Sequence, residues 1–150
     1  MKRLMTALFV ISAAANMALA ADKPDFTGHW KLDIEKSKFG PIPAPASMVR
    51  TVEKKGSELS VEQTLTGPDL FMSFQYSLDG KETANNIMGT DFKSKANWEG
   101  AALMIHNTVE AGGGSTNKWT LSADGKTFTD VLNVTSPEGN FEVTYVLIKQ

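Results

Sequence analysis

Phe26-Thr27-Gly28-His29-Trp30-Lys31-Leu32-Asp33 is the stretch on which the reading of this chain turns. Successive side chains of a strand point to opposite faces, so Phe26, Trp30 and Leu32 share one face and Gly28 leaves a gap on it. Beyond this stretch come short alternating apolar and polar runs, each closed by a glycine turn, with no sustained helical period. A β-barrel seeded by a tryptophan at one end fits that layout.

The runs read as strands over roughly 26–33, 48–54, 57–66, 70–78, 81–88, 91–98, 101–110, 114–122, 127–135 and 140–149. The run 81–88 (KETANNIM) is the weakest of them, so the reading allows eight to ten strands. Lys55-Gly56, Asp79-Gly80, Glu99-Gly100, Asp124-Gly125 and Glu138-Gly139 suit two-residue hairpin turns, where positive φ is needed. Sequential antiparallel strands of this length predict an all-β, single-domain, up-and-down barrel, an arrangement that removes exposed sheet edges. Residues 34–47 (IEKSKFGPIPAPAS) carry three prolines and a glycine, which exclude a central strand or a long helix. They form either a plain connector or a lid over one barrel end, with Phe39 or Ile42 tucked against the body.

Taking each turn pair as the hairpin centre sets a register. Val52 then faces Leu59, Arg50 faces Val61, Met48 faces Gln63, and the acidic Glu53 and Glu58 meet on the outer face. Ala96 faces Leu103 and Ser94 faces Ile105. Leu121 faces Phe128, Trp119 faces Asp130 and Asn117 faces Leu132. Val134 faces Val143, Leu132 faces Tyr145 and Asp130 faces Leu147. Each hairpin gains one mainly apolar face, and those faces should line the interior. That interior includes Met72, Phe74, Tyr76 and Phe92, but also Arg50, Gln63, Asn107, Asn117, Asp130 and Tyr145. A packed core rarely keeps so many polar groups, since each unpaired one costs about 1–3 kcal/mol. A ligand-filled or hydrated cavity tolerates them. The candidate ligand-binding residues are therefore Arg50, Gln63, Phe74, Tyr76, Ile105, Trp119, Asp130, Leu132 and Tyr145. Trp98 and Trp119 are either platforms for a planar ligand or ordinary core. An interior guanidinium cannot shed its proton, so Arg50 needs Asp130 or the acidic head of a ligand as its partner.

Before the first strand, Lys2 and Arg3 precede an apolar run from Leu4 to Leu19, and Ala18-Leu19-Ala20 presents a small-x-small cleavage pattern. Residues 1–20 read as a signal peptide cleaved after Ala20, and 21–150 as the barrel domain. The competing reading, a membrane anchor, suffers from the shortness of the run and from Asn16 within it. Loss of Lys2 and Arg3 leaves 13 basic against 17 acidic residues, a net charge of −4. That balance argues against nucleic acid or an anionic membrane as partner. There is no cysteine, so neither a disulfide framework nor lipid attachment at cysteine is available.

Chemistry is sparse. His29 and His106, the only histidines, fall off the apolar faces and lack metal-ligand spacing. No serine stands in a nucleophile-elbow setting, and Gly112-Gly113-Gly114 precedes a strand rather than a helix, so no catalytic, metal or cofactor site is expected.

Gly28-x-Trp30 on the first strand of a signal-bearing, turn-punctuated β chain resembles the lipocalin opening motif of the calycin superfamily. GHWKLDIEKSKFGPIPAP (28–45), SLDGKE (77–82), LSADGKTFTDVLNVTSPEG (121–139) and the late Lys149 are similar to small exported bacterial lipocalin-like proteins. The resemblance covers nearly all of the chain beyond residue 20. It implies a lipocalin-like barrel that binds a small apolar or amphipathic molecule, with Gly28, Trp30 and Lys149 as structural motif residues. Lipocalins usually stack an arginine of the last strand on the motif tryptophan. Arg50 is the only arginine after Arg3 and sits on the second strand, so Lys149 is the candidate for that place. The function expected is an exported, periplasmic or secreted, non-enzymatic binder or carrier. The alternative is a protein-interaction or inhibitory module of the cell envelope that uses the barrel as scaffold.

Overall fold

The computed structural model describes residues 23–150; the signal-peptide reading of residues 1–20 lies outside the described residues. Ten antiparallel strands follow in chain order: β1 (Gly28–Leu32), β2 (Ser47–Lys55), β3 (Glu58–Thr66), β4 (Leu70–Ser77), β5 (Glu82–Ile87), β6 (Thr90–Glu99), β7 (Ala102–Thr108), β8 (Gly114–Leu121), β9 (Thr127–Ser136) and β10 (Gly139–Lys149). The weak run at 81–88 is a true strand, paired with β6 along its length. Neighbours in the sheet run β4-β3-β2-β1-β10-β9-β8-β7-β6-β5, so the first strand closes on the last through Trp30↔Lys149. The barrel is up-and-down and nearly closed. Only β4 and β5 meet without a ladder. There the Asn85 side chain stands in for backbone: its Oδ1 accepts from Gln75 N at 2.7 Å and its Nδ2 donates to Gln75 O at 3.0 Å.

Interior faces fall where strand alternation puts them, but three of the four expected hairpin registers are displaced by two residues. Arg50 faces Gln63 rather than Val61, Val52 faces Val61 rather than Leu59, and Met48 faces Leu65 rather than Gln63. The turn is Gly56-Ser57, because Gly56 (φ +60) is its first central residue, as a type II′ turn requires. Glu58 consequently lies opposite Lys55, and Glu53 opposite Ser60. At Gly100-Ala101 the same shift puts Ala96 opposite Ile105 and Ser94 opposite Asn107. The last hairpin moves the other way, because Pro137, with its fixed φ, starts the turn in place of Glu138. Asp130 then faces Tyr145, Leu132 faces Val143, and Val134 faces Phe141. The β8–β9 register is as expected, with Leu121 on Phe128, Trp119 on Asp130 and Asn117 on Leu132. Every displacement is an even number of residues, so no side chain changes face.

Two turns share the pattern Ser-x-Asp-Gly-Lys. Asp79 Oδ1 accepts from the Ser77 hydroxyl and from Lys81 N (3.1 Å). Asp124 Oδ1 accepts from Ser122 Oγ (2.6 Å) and Lys126 N (3.0 Å). Both turns lie at the end of the barrel that Trp30 closes. Trp30 is 1% exposed, packs edge-on against Phe128 at 5.2 Å and donates its indole N–H to Phe26 O at 3.0 Å. Phe26 in turn meets Trp98, Trp119 and Phe128. Lys149 Nζ stands 5.7 Å from the Trp30 ring. A Cβ at Gly28 would come within 3.5 Å of Lys149 Cε, so the gap in the first strand is the room the lysine stem uses.

The 33–46 connector contains no helix, only turns at 34–36 and 40–41. Its first half is pinned to the barrel wall: Lys38 N donates to Thr144 O (2.8 Å) and Thr144 N to Lys38 O (2.7 Å). Phe39, rather than Ile42, reaches the core cluster, meeting the Tyr145 ring at 6.2 Å.

Candidate ligand cavity

Apolar packing fills the Trp30 end, and toward the other end the side chains leave an interior cavity of about 200 Å³. Of the residues expected at a ligand, Arg50, Gln63, Phe74, Tyr76, Trp119, Asp130, Leu132 and Tyr145 line it. Ile105 does not: it is fully buried in the packed core beneath. Met72, Phe92, Asn107 and Asn117 also border the space, together with Ile87 and Ser115, which the sequence reading missed. Ile87 belongs to the weak strand, and Ser115 follows a triple glycine; neither sits in a pattern that marks an interior position. Trp98 lies elsewhere, stacked on Phe26 at the closed end. His29 and His106 are exposed.

The polar groups form one connected belt. Arg50 Nη1 lies 2.9 Å from Asp130 Oδ2, and Arg50 Nε donates to Gln63 Oε1 at 2.9 Å. The Nη1 approach is ionic rather than a well-directed hydrogen bond. Asn117 Nδ2 donates to Asp130 Oδ1 at 2.9 Å, and Asn107 Nδ2 donates to Asn117 Oδ1 at 3.1 Å and Ser115 Oγ at 3.0 Å. Ser94 Oγ donates to Asn107 Oδ1 at 2.6 Å and accepts from Asn85 Nδ2 at 2.9 Å. Arg50 orients Gln63, and the orientation of the asparagines follows from Asp130, whose carboxylate oxygens accept. Asn117 must turn its NH₂ toward it, and each following amide is set by the one before. The belt thus runs from Gln63 on β3 through Arg50 and Asp130 to Asn85 at the open seam.

Arg50 and Asp130 are 5% and 1% exposed. The guanidinium also lies over the rings of Phe128 (5.2 Å) and Trp119 (5.5 Å), which stabilises a cation shielded from water. The Tyr76 and Tyr145 hydroxyls are pushed above the usual phenol range by burial first and by the charge of Asp130 second, and Arg50 offsets this only in part. A cavity with an apolar wall and a fixed hydrogen-bonding wall can hold and orient a small amphipathic molecule. Among the described residues no group of three His, Cys, Asp or Glu side chains is placed to hold a metal.

No protein-family model matches the chain, and no curated protein matches it. Solved structures do. A secretory abundant heat soluble protein of Ramazzottius varieornatus superposes with a TM-score of 0.70 at 12% identity, covering 86% of this chain and 98% of that one. Zebrafish ileal bile acid-binding protein, in complex with cholic acid, gives 0.63 at 16% identity, covering 83% and 98%. Fatty-acid-binding protein 1 of Echinococcus granulosus gives 0.60 at 12%, covering 83% and 96%. These likenesses show a shared fold, an antiparallel up-and-down β-barrel, which is the architecture that the resemblance carried by Gly28 and Trp30 implies.

Proposed function

We propose that this protein is an exported, non-enzymatic binder of a compact amphipathic molecule, held in the barrel cavity with its polar end on the Arg50–Asp130 belt. The observation that carries this reading is the cavity itself: an apolar wall of Phe74, Phe92 and Leu132 faces a buried ion pair and two asparagines. Packing for stability alone favours apolar residues over such a network, because buried polar groups are costly unless each is satisfied. The bile-acid and fatty-acid binding named for two similarly folded proteins supports the same class of activity. The volume, about 200 Å³, falls below the roughly 300–1,000 Å³ of sites for drug-sized molecules, which favours a small ligand.

Export is supported by Lys2, Arg3, the apolar run that follows and the Ala18-Leu19-Ala20 pattern. The interaction-module alternative is favoured by one observation: Val49 and Phe71, 48% and 62% exposed, flank Thr64 on the outer face of β2, β3 and β4. Native mass spectrometry of the protein purified from its own producing cells separates the two. Retained mass that disappears in Leu132→Trp, which fills the cavity, is the expected result. A bare chain beginning at Ala21 in every preparation, with binding of a protein partner lost in Phe71→Ser, would favour the scaffold reading instead.

A further inference from the structure

We propose that the cavity selects an uncharged ligand presenting a carbonyl-type acceptor oxygen, as in an ester, lactone or ketone, over a carboxylate; this rests on the cavity-binding reading above.

Charge is already closed inside the barrel. Among the described residues Arg50 is the only cationic side chain on the cavity wall and Asp130 the only anionic one, and they lie 2.9 Å apart, almost wholly buried. A carboxylate entering this space would add an uncompensated negative charge beside Asp130. To pair with Arg50 it would have to share the guanidinium with Asp130, setting two anions on one buried cation, or displace that aspartate and leave it buried and unpaired. The direction in which Tyr76 and Tyr145 are shifted agrees: at both hydroxyls the charge of Asp130 outweighs that of Arg50.

The remaining hydrogen-bonding capacity of the amides and the guanidinium is that of donors, while the Tyr76 and Tyr145 hydroxyls can donate or accept. Every amide or carboxylate oxygen on the cavity wall has a partner: Asp130 Oδ1 accepts from Asn117, Gln63 Oε1 from Arg50, Asn107 Oδ1 from Ser94 and Asn117 Oδ1 from Asn107, and Asp130 Oδ2 is ion-paired with Arg50. What lacks a counterpart among the described residues is donors. Gln63 presents its Nε2, because the Arg50 contact fixes its oxygen the other way. Arg50 uses Nε and Nη1 on the protein and has Nη2 left over. A neutral acceptor answers these donors without disturbing the ion pair, whereas an ammonium would add a second cation beside Arg50 and compete for oxygens that already accept.

Matched eight-carbon probes test this on the signal-free chain 21–150, which carries every described strand. Methyl octanoate, octanoate and octylamine are titrated at pH 7 by calorimetry, with the side-chain amide resonances of Gln63 and Asn117 followed by NMR. Methyl octanoate is expected to bind at least tenfold tighter than octanoate and to move the Gln63 amide. In Asp130→Asn, where Arg50 loses its counter-charge, octanoate should gain at least tenfold on the ester. Octanoate or octylamine equalling the ester on the wild-type protein overturns the inference and leaves the cavity-binding reading standing. Should Asp130→Asn not fold, the wild-type ranking and the Gln63 shift decide by themselves. Binding by none of the three overturns the cavity-binding reading, and this inference with it.

Discussion

Arg50 Nη1 and Asp130 Oδ2 meet at 2.9 Å although β1 and β10 separate their strands in the sheet. The pair therefore crosses the barrel interior and ties β2 to β9 through space rather than through the ladder. Removing one partner leaves a buried charge alone. Arg50→Gln and Asp130→Asn are each expected to cost about 3–5 kcal/mol in urea unfolding. The double change Arg50→Met with Asp130→Leu should cost much less than the sum of the two. Single-variant losses under about 1 kcal/mol would show that the pair is not coupled to folding.

Trp30 belongs to folding rather than to the cavity. Its ring is enclosed by Phe128 and its N–H is taken by Phe26 O. Trp30→Ala should lose about 3–5 kcal/mol, as for other buried aromatics. A melting temperature within a degree of wild type would contradict this.

The β4–β5 seam hangs on Asn85. Replacing it with alanine removes both bonds to the Gln75 backbone and the one to Ser94. Hydrogen exchange at the Gln75 amide should rise at least tenfold, while amides of the β8–β9 ladder stay protected. Equal acceleration in both places would mean that the barrel loosens globally rather than at the seam.

Acid should cost stability at the turns. Asp79 and Asp124 are held below the ordinary carboxylate range, chiefly by the Ser77 and Ser122 hydroxyls and then by the Lys81 and Lys126 amides. A depressed folded-state value contributes stability that is present above the unfolded value of about 4 and lost as pH falls through the folded one. The melting temperature should decline below about pH 4, and Asp79→Asn with Asp124→Asn should flatten that decline. An unchanged acid limb in the double variant would assign it to other carboxylates.

The 38–47 segment gates the cavity if its exchange responds to ligand. Phe39 touches Tyr145, which lines the cavity, so occupancy is felt by this loop through one contact. Saturation with methyl octanoate should slow exchange from Ile42 to Ser47. No change at saturation would make the segment a connector only.

Strand alternation is a local property with period two, and for that reason the interior residues could be read from the chain alone. Arg50, Gln63, Asn117, Asp130 and Tyr145 face inward although three hairpin registers lie two residues from where the glycine pairs suggested. Errors of two leave parity untouched. The need of Arg50 for an anion was legible too, since a guanidinium cannot neutralise itself. Asp130 was one of its two candidates, and the two side chains meet. The cross-strand partners of the hairpins were not legible, because they depend on which turn residue takes positive φ and where Pro137 starts its turn. The links from Asp130 through Asn117, Asn107 and Ser94 to Asn85 run between neighbouring strands from β9 to β5, so they depend on hairpin registers, of which the β6–β7 register lies two residues from expectation. Ile105 faces inward by the same alternation as Asn107, yet the chain could not say that one is sealed in the core and the other borders a cavity. Depth along the barrel axis is settled by how the aromatic cluster of Phe26, Trp30, Trp119 and Phe128 fills one end, and that packing is a property of the closed barrel.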